Sequence, residues 1–262
     1  MKILVIHGSM RKGNTYTLTK EIMTVLANKP NVAFTEINIA DLNLPFCVSC
    51  HLCLSKGEEY CPHYETMRGV ETALAECDGV IMSGTTYMWA LNASMKNLLD
   101  HLAYGLHRPA FFGKKGMVIT TSAGTHEKGV AKYIKAVLGQ WGINGAIIVT
   151  QNTKEQKLMS AEKSTIKLDR ATQRFYQLVV SGKPLSPSMK NIAVHNACRA
   201  MSLSKFSESE RDTKYWQQSG FYDKAYPEKA GAFKYAIGAV IYVIAKRMTE
   251  VIGRVYERRQ KS

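Results

Sequence analysis

The chain has 262 residues, 45% of them hydrophobic, the ordinary share for a globular protein with a real core. Lys and Arg number 35 against 21 Asp and Glu, a net charge of +14 that suits anionic cofactors, nucleic acid or an acidic membrane surface. No basic run is interleaved with aromatics as in single-strand binders, so nucleic acid is not an expected partner. No stretch reaches the ~18 uncharged apolar residues of a membrane span, and Met1-Lys2 leads straight into the first strand without room for a signal peptide. The expectation is a cytoplasmic protein whose six cysteines stay reduced.

Ile3-Leu4-Val5-Ile6 reads as a buried strand, ended by Gly8 and Ser9. Thr15 then opens a segment with Leu18, Ile22, Val25 and Leu26 near helical spacing. A strand, a hydroxyl- and Gly-rich turn and a helix aim backbone N–H groups and a helix dipole at one spot, which suits a phosphate. Ser9, Asn14 and Thr15 add neutral donors, and Arg11 adds a planar fork of them. The alternative is an ordinary turn with an Asn or Thr N-cap. The stretch has neither the three-glycine dinucleotide pattern nor the Gly-Lys-Ser/Thr of an NTP loop.

Further along, Val32 to Ile39 alternates as a second strand. Pro45 to Met67 is expected to be irregular, with a short helix over Val70–Glu76 behind it. Asp78 to Ser83 reads as a third strand, followed by a loop from Gly84 to Leu91. A helix then carries Met95, Leu98, Leu99 and Leu102 on one face. Gly116 to Thr121 and Ala146 to Val149 are the fourth and fifth strands, with a helix over Lys128–Leu138 between them. Ser160 is a candidate N-cap for a helix reaching Val180. Strict alternation of β and α argues for a parallel, doubly wound, three-layer sheet of five strands. Ligands then sit beyond the carboxyl ends of the strands, where the loops after strands one, three and four lie. Tyr87 and Trp89 on one of these suggest a flat heterocycle beside the phosphate.

The run Gly8-Ser9-Met10-Arg11-Lys12-Gly13-Asn14-Thr15 resembles the phosphate loop of NADPH-dependent FMN reductases, a branch of the flavodoxin-like fold. Thr85 to Trp89 with Met95 to Asp100 is similar to that family's second flavin loop and the helix after it. The usual Pro near Thr85 or Thr86 is missing. Ser122 to His126 is a looser match to a Gly-Gly loop. The resemblance covers about residues 1–180. It implies an NAD(P)H oxidoreductase with FMN phosphate on Ser9, Arg11, Asn14 and Thr15. The ring would lie against Thr86, Tyr87, Met88 and Trp89, with Ser122, Ala123 and Gly124 closing the other edge. The chemistry would be the cofactor's, and no acid–base pair stands out as catalytic. Tyr87 and Trp89 could equally be rim aromatics that pack the loop onto the sheet.

Cys47, Cys50, Cys53 and Cys61, the last followed by Pro62, lie within 45–67 at a spacing that can wrap one cubane. The run also resembles the compact motif of iron–sulfur flavoproteins, which implies a [4Fe-4S] relay to a ferredoxin-like carrier. Zinc on Cys47, Cys50, Cys53 and Cys61 or His63, or free redox-active thiols, remain open on ligand type. Cys77 and Cys198 read as buried structural cysteines. Gly182 to Ser188 reads as a boundary, dividing a flavodoxin-like domain, 1–184, from a basic, aromatic and helical extension, 185–262. Tyr215, Trp216, Phe221, Tyr222 and Tyr226 suggest an extended, aromatic-packing segment, and 231–259 a strongly apolar amphipathic helix. That helix would pack on its own domain or a second subunit, making a homo-oligomer, in preference to lying on a membrane. The reading from another class is a non-enzymatic, zinc-stabilised docking protein.

Overall fold

Alternating apolar residues place both faces of the central strands in the core, and five parallel strands result. The computed structural model describes residues 1–156, 161–221 and 225–260. β1 (Lys2–His7), α1 (Asn14–Ala27) and β2 (Ala33–Asn38) form the first βαβ unit. The cysteine segment follows with α2 (Leu52–Ser55), a 3₁₀ turn at Glu58–Tyr60, and α3 (Tyr64–Glu76). Next come β3 (Gly79–Tyr87), β4 (Ala90–Leu91), α4 (Ala93–His101), β5 (Lys115–Ser122), α5 (Glu127–Gln140) and β6 (Ile147–Asn152). α6 (Thr153–Gln156) and α7 (Ala161–Ser181) complete this part, and α8 (Met189–Ser202), α9 (Glu210–Gln218) and α10 (Ala232–Gln260) follow.

The sheet order is β2-β1-β3-β5-β6, all parallel, with β4 paired antiparallel to the end of β3. Leu4, Ile6, Val80, Met82 and Val118 face one side and pack on Met67, Val70, Leu98 and Ile134. Ile3, Val5, Ile81, Met117 and Ile119 face the other and pack on Leu18, Ile22, Leu26 and Phe175. This period-two division gives three layers. The order reverses between β1 and β3, where the connections leave to opposite sides and open a crevice.

The structure corrects several boundaries. The helix expected from Val70 begins at Tyr64, and α2 and the 3₁₀ turn occupy part of the segment expected to be irregular. The loop expected after Ser83 is strand: β3 runs on through Thr85, Thr86 and Tyr87, whose β-branched and aromatic side chains favour that state. It turns at Met88 and Trp89, both with positive φ (47° and 63°), into β4. Two such residues make the I′ geometry of a tight hairpin, which ordinarily selects Asn-Gly. Of the segment expected to be extended, Tyr215 and Trp216 lie in α9 instead; α8 and α9 each have a serine cap, Ser188 on Asn191 N–H and Ser209 on Asp212 N–H. Trp216 is fully buried and meets the His195 ring edge-on at 4.8 Å. Ser160 and Tyr222 lie outside the described residues. α10 packs on α8 and leaves a row of exposed apolar side chains: Val240, Ile244, Met248, Val251 and Val255. Among the described residues no helix is long and apolar enough to cross a membrane.

His7 ends β1 under the phosphate-loop turn, 2% exposed, with Nε2 2.9 Å from the Glu36 carboxylate of β2. A carboxylate only accepts, so Nε2 carries the hydrogen, and Nδ1 is buried without a partner. Burial lowers the His7 pKa below the ordinary 6.5, outweighing the Glu36 contact. Burial pulls Glu36 upward, but the hydrogen bonds from His7 and Lys20 win and leave it below its usual 4.5. The unfolded chain therefore binds the His7 proton more tightly than the folded one. Stability from this site is complete above the unfolded pKa and declines as pH falls below it; Glu36 acts in a lower window. Urea midpoints should fall between about pH 7.5 and about pH 5.5, and the fall should shrink in His7→Gln. An equal fall in both proteins would remove His7 as its source.

Candidate functional site

At the carboxyl ends of β1, β3 and β5 a pocket of about 670 Å³ opens. Its floor is a hydroxyl cluster. Thr15 Oγ1 lies 2.7 Å from Thr85 Oγ1 and 2.6 Å from Thr121 Oγ1, and Ser9 Oγ donates to Thr85 Oγ1 at 3.4 Å. Gly8 passes so close to β3 that a Cβ there would meet Ser83 O at 2.4 Å, which only glycine avoids. Asn92 Nδ2 and Ser94 Oγ donate to Gly8 O at 2.6 and 3.0 Å, while Asn92 Oδ1 accepts from Thr85 N–H. The first and second loops are thus fixed to each other by side chains of the segment entering α4.

α1 starts after Gly13, not behind an Asn or Thr cap, and no side chain caps it. Its first-turn N–H groups keep their donors for a ligand. Among the described residues Arg11 is the one charged residue in the pocket wall, and Thr86 Oγ1 is buried without a partner. Anion-seeking backbone, one guanidinium and an unpaired hydroxyl fit a phosphorylated ligand with polar edges. Of the residues expected around flavin, Ser9, Arg11, Asn14, Thr15, Thr86, Tyr87, Ser122 and Ala123 line this pocket. Met88, Trp89 and Gly124 are outside its wall. Trp89 stacks on His126 at 5.7 Å and 19°, joining the hairpin to the third loop. Ser122 Oγ donates to the buried Glu127 carboxylate at 2.7 Å, and Gly124 O accepts from Asn152. The wall also includes Asn92 and Ser94, which sequence reasoning missed. Their signal was an N-cap-type cluster, Asn92-Ala93-Ser94, directly ahead of an apolar-periodic helix.

A second pocket, about 320 Å³, is lined by Cys47, Cys50, Cys53 and Cys61 together with His51, His63, Lys96 and His101. All four cysteines are free thiols. Ser49 and His51 have positive φ (52° and 61°), which coils the loop tightly enough to turn successive cysteines inward. Asn97 anchors the loop: Oδ1 accepts from Cys47 N–H at 2.9 Å, and Nδ2 donates to Leu44 O and Pro45 O. His101 Nδ1 donates to Asn97 O at 2.9 Å, leaving Nε2 to accept from His63 Nδ1–H at 3.0 Å. Ligand atoms of Cys61, His63 and His101 lie within 4.8 Å of one another. Burial pushes the Cys53 and Cys61 thiols up, and neighbouring cysteines add to the push. Asn97 and His101 went unread in the sequence, although their four-residue spacing puts them on one face of α4. Cys77 and Cys198 are buried apart from this pocket, the latter with its pKa raised to about 12 by burial.

A doubly wound parallel sheet with a phosphate-type pocket at its switch point defines a flavodoxin-like oxidoreductase. The chain belongs to the NADPH-dependent FMN reductase family, whose model matches residues 1–153. An iron-sulfur flavoprotein of Archaeoglobus fulgidus is 27% identical over 230 residues, 84% of this chain and 100% of that one. Another iron-sulfur flavoprotein of that organism is 30% identical over 100 residues, 38% of this chain and 48% of its own. An NADH:FMN oxidoreductase in its apo form is similar in fold, with a TM-score of 0.52 at 19% identity, covering 69% of this chain and 89% of that one. So is an FMN-dependent NADH-azoreductase from Bacillus anthracis in complex with FMN, with a TM-score of 0.50 at 14% identity, covering 68% and 100%.

The two roles assigned to the pocket separate by mutation. Thr15→Val removes the hydroxyl shared by three loops and should cost about 1–3 kcal/mol in urea unfolding. Arg11→Ala, at an exposed position, should leave stability unchanged and weaken FMN retention by roughly 1–3 kcal/mol in fluorescence titration. Unaltered FMN affinity in Arg11→Ala would remove that residue from the site.

Proposed function

We propose that the chain takes electrons from NADPH or NADH onto bound FMN and passes them through a [4Fe-4S] cluster on Cys47, Cys50, Cys53 and Cys61. A ferredoxin-like carrier or a small acceptor then receives them. The observation that carries this reading is the convergence of all four cysteines on one pocket, on the same edge of the sheet as the flavin pocket. The 27% identical relative is itself an iron-sulfur flavoprotein. Membership of a reductase family sets aside the non-enzymatic docking protein.

FMN, when bound, accepts a hydride and releases electrons in ones or twos. The chain's own residues bind and orient. The α1 N-terminus, Ser9, Asn14, Thr15 and Arg11 hold the phosphate, and Thr86 offers its unpaired hydroxyl to the ring edge. Tyr87, 72% exposed, is positioned to cover a ring at the pocket mouth. Among the described residues that wall holds no Asp, Glu or His.

A second reading of the thiol pocket has its own observation. Cys61, His63 and His101 offer the ligand types and the closeness that a zinc ion takes. Protein purified without air decides between them. The cluster reading expects flavin bands with a broad brown shoulder that dithionite bleaches. Cys50→Ala should then lose iron and keep flavin; zinc without iron in the wild type would establish the second reading.

We infer further that a second copy of the chain covers the exposed row on α10. Val240 and Val251, and Ile244 and Val255, stand three helical turns apart on one line. On its flank Arg254 pairs with Glu250 one turn away. Ile244→Glu with Val251→Glu should halve the sedimentation mass. An unchanged mass would refute this interface.

A further inference from the structure

The extension and the thiol pocket meet at one buried guanidinium. Arg108 follows α4 and its 3₁₀ turn, and its side chain is 4% exposed. Its fork is filled from two directions. Toward the cysteine segment, Nη2 donates to Cys53 O at 2.6 Å and pairs with Glu58 at 3.0 Å, and Nη1 donates to Leu54 O at 3.4 Å. Toward the extension, Nη1 pairs with Asp212 of α9, whose side chain is also 4% exposed. The other Asp212 oxygen accepts from His107 Nδ1 at 3.0 Å. The Tyr104 ring lies beneath the guanidinium, 5.1 Å from its centre.

Two further contacts follow the same path. Ser209, the cap of α9, donates its hydroxyl to Leu54 O at 2.5 Å while accepting Asp212 N–H. Arg211 pairs with the second Glu58 oxygen at 3.0 Å. The carbonyls of Cys53 and Leu54 thus go to groups held by α9, instead of closing further turns of the four-residue α2. A backbone fixed at Cys53 fixes the direction of its Cα–Cβ bond, and with it where the sulfur stands among the other three.

We propose that Arg108, held by Asp212 of the extension and Glu58 of the loop, is the positioning residue of the thiol pocket, so that the extension is a working part of the redox centre. This rests on reading that pocket as the metal centre, but the arrangement of charges does not. An isolated buried guanidinium would be costly, so its two carboxylates are needed for it to sit there at all. In return, its planar fork sets two carbonyls and two carboxylates in one geometry, which a lysine could not do.

The test uses the full chain with FMN bound, in wild type, Asp212→Asn, Ser209→Ala and Arg108→Lys. Asp212→Asn keeps the side chain's shape while removing its charge, and the Cys77 rate together with FMN affinity shows whether each variant has folded. Alkylation of each cysteine by iodoacetamide is followed by peptide mapping after metal is removed, and iron per flavin is measured before removal. Cys53 should alkylate roughly tenfold faster in Asp212→Asn and Arg108→Lys, as expected when a local opening is released. Cys77, buried beneath the sheet, should keep its rate, and FMN affinity should not change. Iron per flavin should fall in the same variants. Unchanged Cys53 rates in folded variants would overturn the proposal. So would Cys77 accelerating in step with Cys53, which would mean a general loss of stability. Absence of iron from the wild type would defeat the cluster reading instead, while the labelling pattern would still decide the role of Arg108.

Discussion

Three loops of this protein depend on one hydroxyl. Thr15 Oγ1 has one hydrogen and two lone pairs, and it meets Thr85 and Thr121 at 2.7 and 2.6 Å. Those partners come from the ends of β3 and β5, and Thr15 itself from the helix after β1. The contact holds only if β1, β3 and β5 finish in register, as the pairings His7 with Ser83 and Thr85 with Thr121 provide. Gly8 then crosses β3 at a distance that forbids a side chain, and Asn92 closes the remaining gap. The pocket is consequently preformed. A ligand arriving there meets donors already oriented, and its binding energy need not be spent on ordering loops.

The same edge of the sheet carries the thiol pocket, and α4 joins the two. Asn92 and Ser94, at its start, belong to the hydroxyl-floored pocket; Lys96, Asp100 and His101, along its length, belong to the thiol pocket. Nine helical residues rise roughly 13 Å, so one rigid rod sets the separation of the two centres. Asn97 reinforces this by binding the loop backbone at Leu44, Pro45 and Cys47 from the middle of the helix. A helix serves this purpose better than a loop because its ends cannot drift independently.

The fold was legible because its signals are local and repeated. Apolar runs such as Ile3 to Ile6, with α-helical spacing between them, leave little choice but an alternating parallel sheet. The turn after β1 was legible for a similar reason: its polar side chains lie within the seven consecutive residues Ser9 to Thr15. What escaped notice was set by pairing across the chain. Thr85 to Tyr87 became strand because β5 and β4 take up their backbone groups, and nothing in Met88-Trp89 announces a hairpin that demands positive φ twice. Trp89 stacks on His126, a partner thirty-seven residues away that the local sequence does not indicate. His101, Asn97 and Arg108 are single polar residues amid apolar ones. Only the fold shows that they converge on the cysteine segment.

The electrostatics of the thiol pocket bear on what it is for. A cysteine that acts as a nucleophile is ordinarily held beside positive charge or a helix N-terminus, so that its thiolate is favoured. Here burial works in the opposite direction on Cys53 and Cys61, and the other thiols add to the effect. Arg108 lies close enough to oppose the rise at Cys53, yet its donors are directed to carbonyls and carboxylates and not to sulfur. Cys53 and Cys61, placed where ionisation is disfavoured, have little use as free thiolates. Burial around Cys53 and Cys61 thus disfavours bare thiolates there, and soft sulfur ligands suit zinc or iron–sulfur chemistry better than a hard cation.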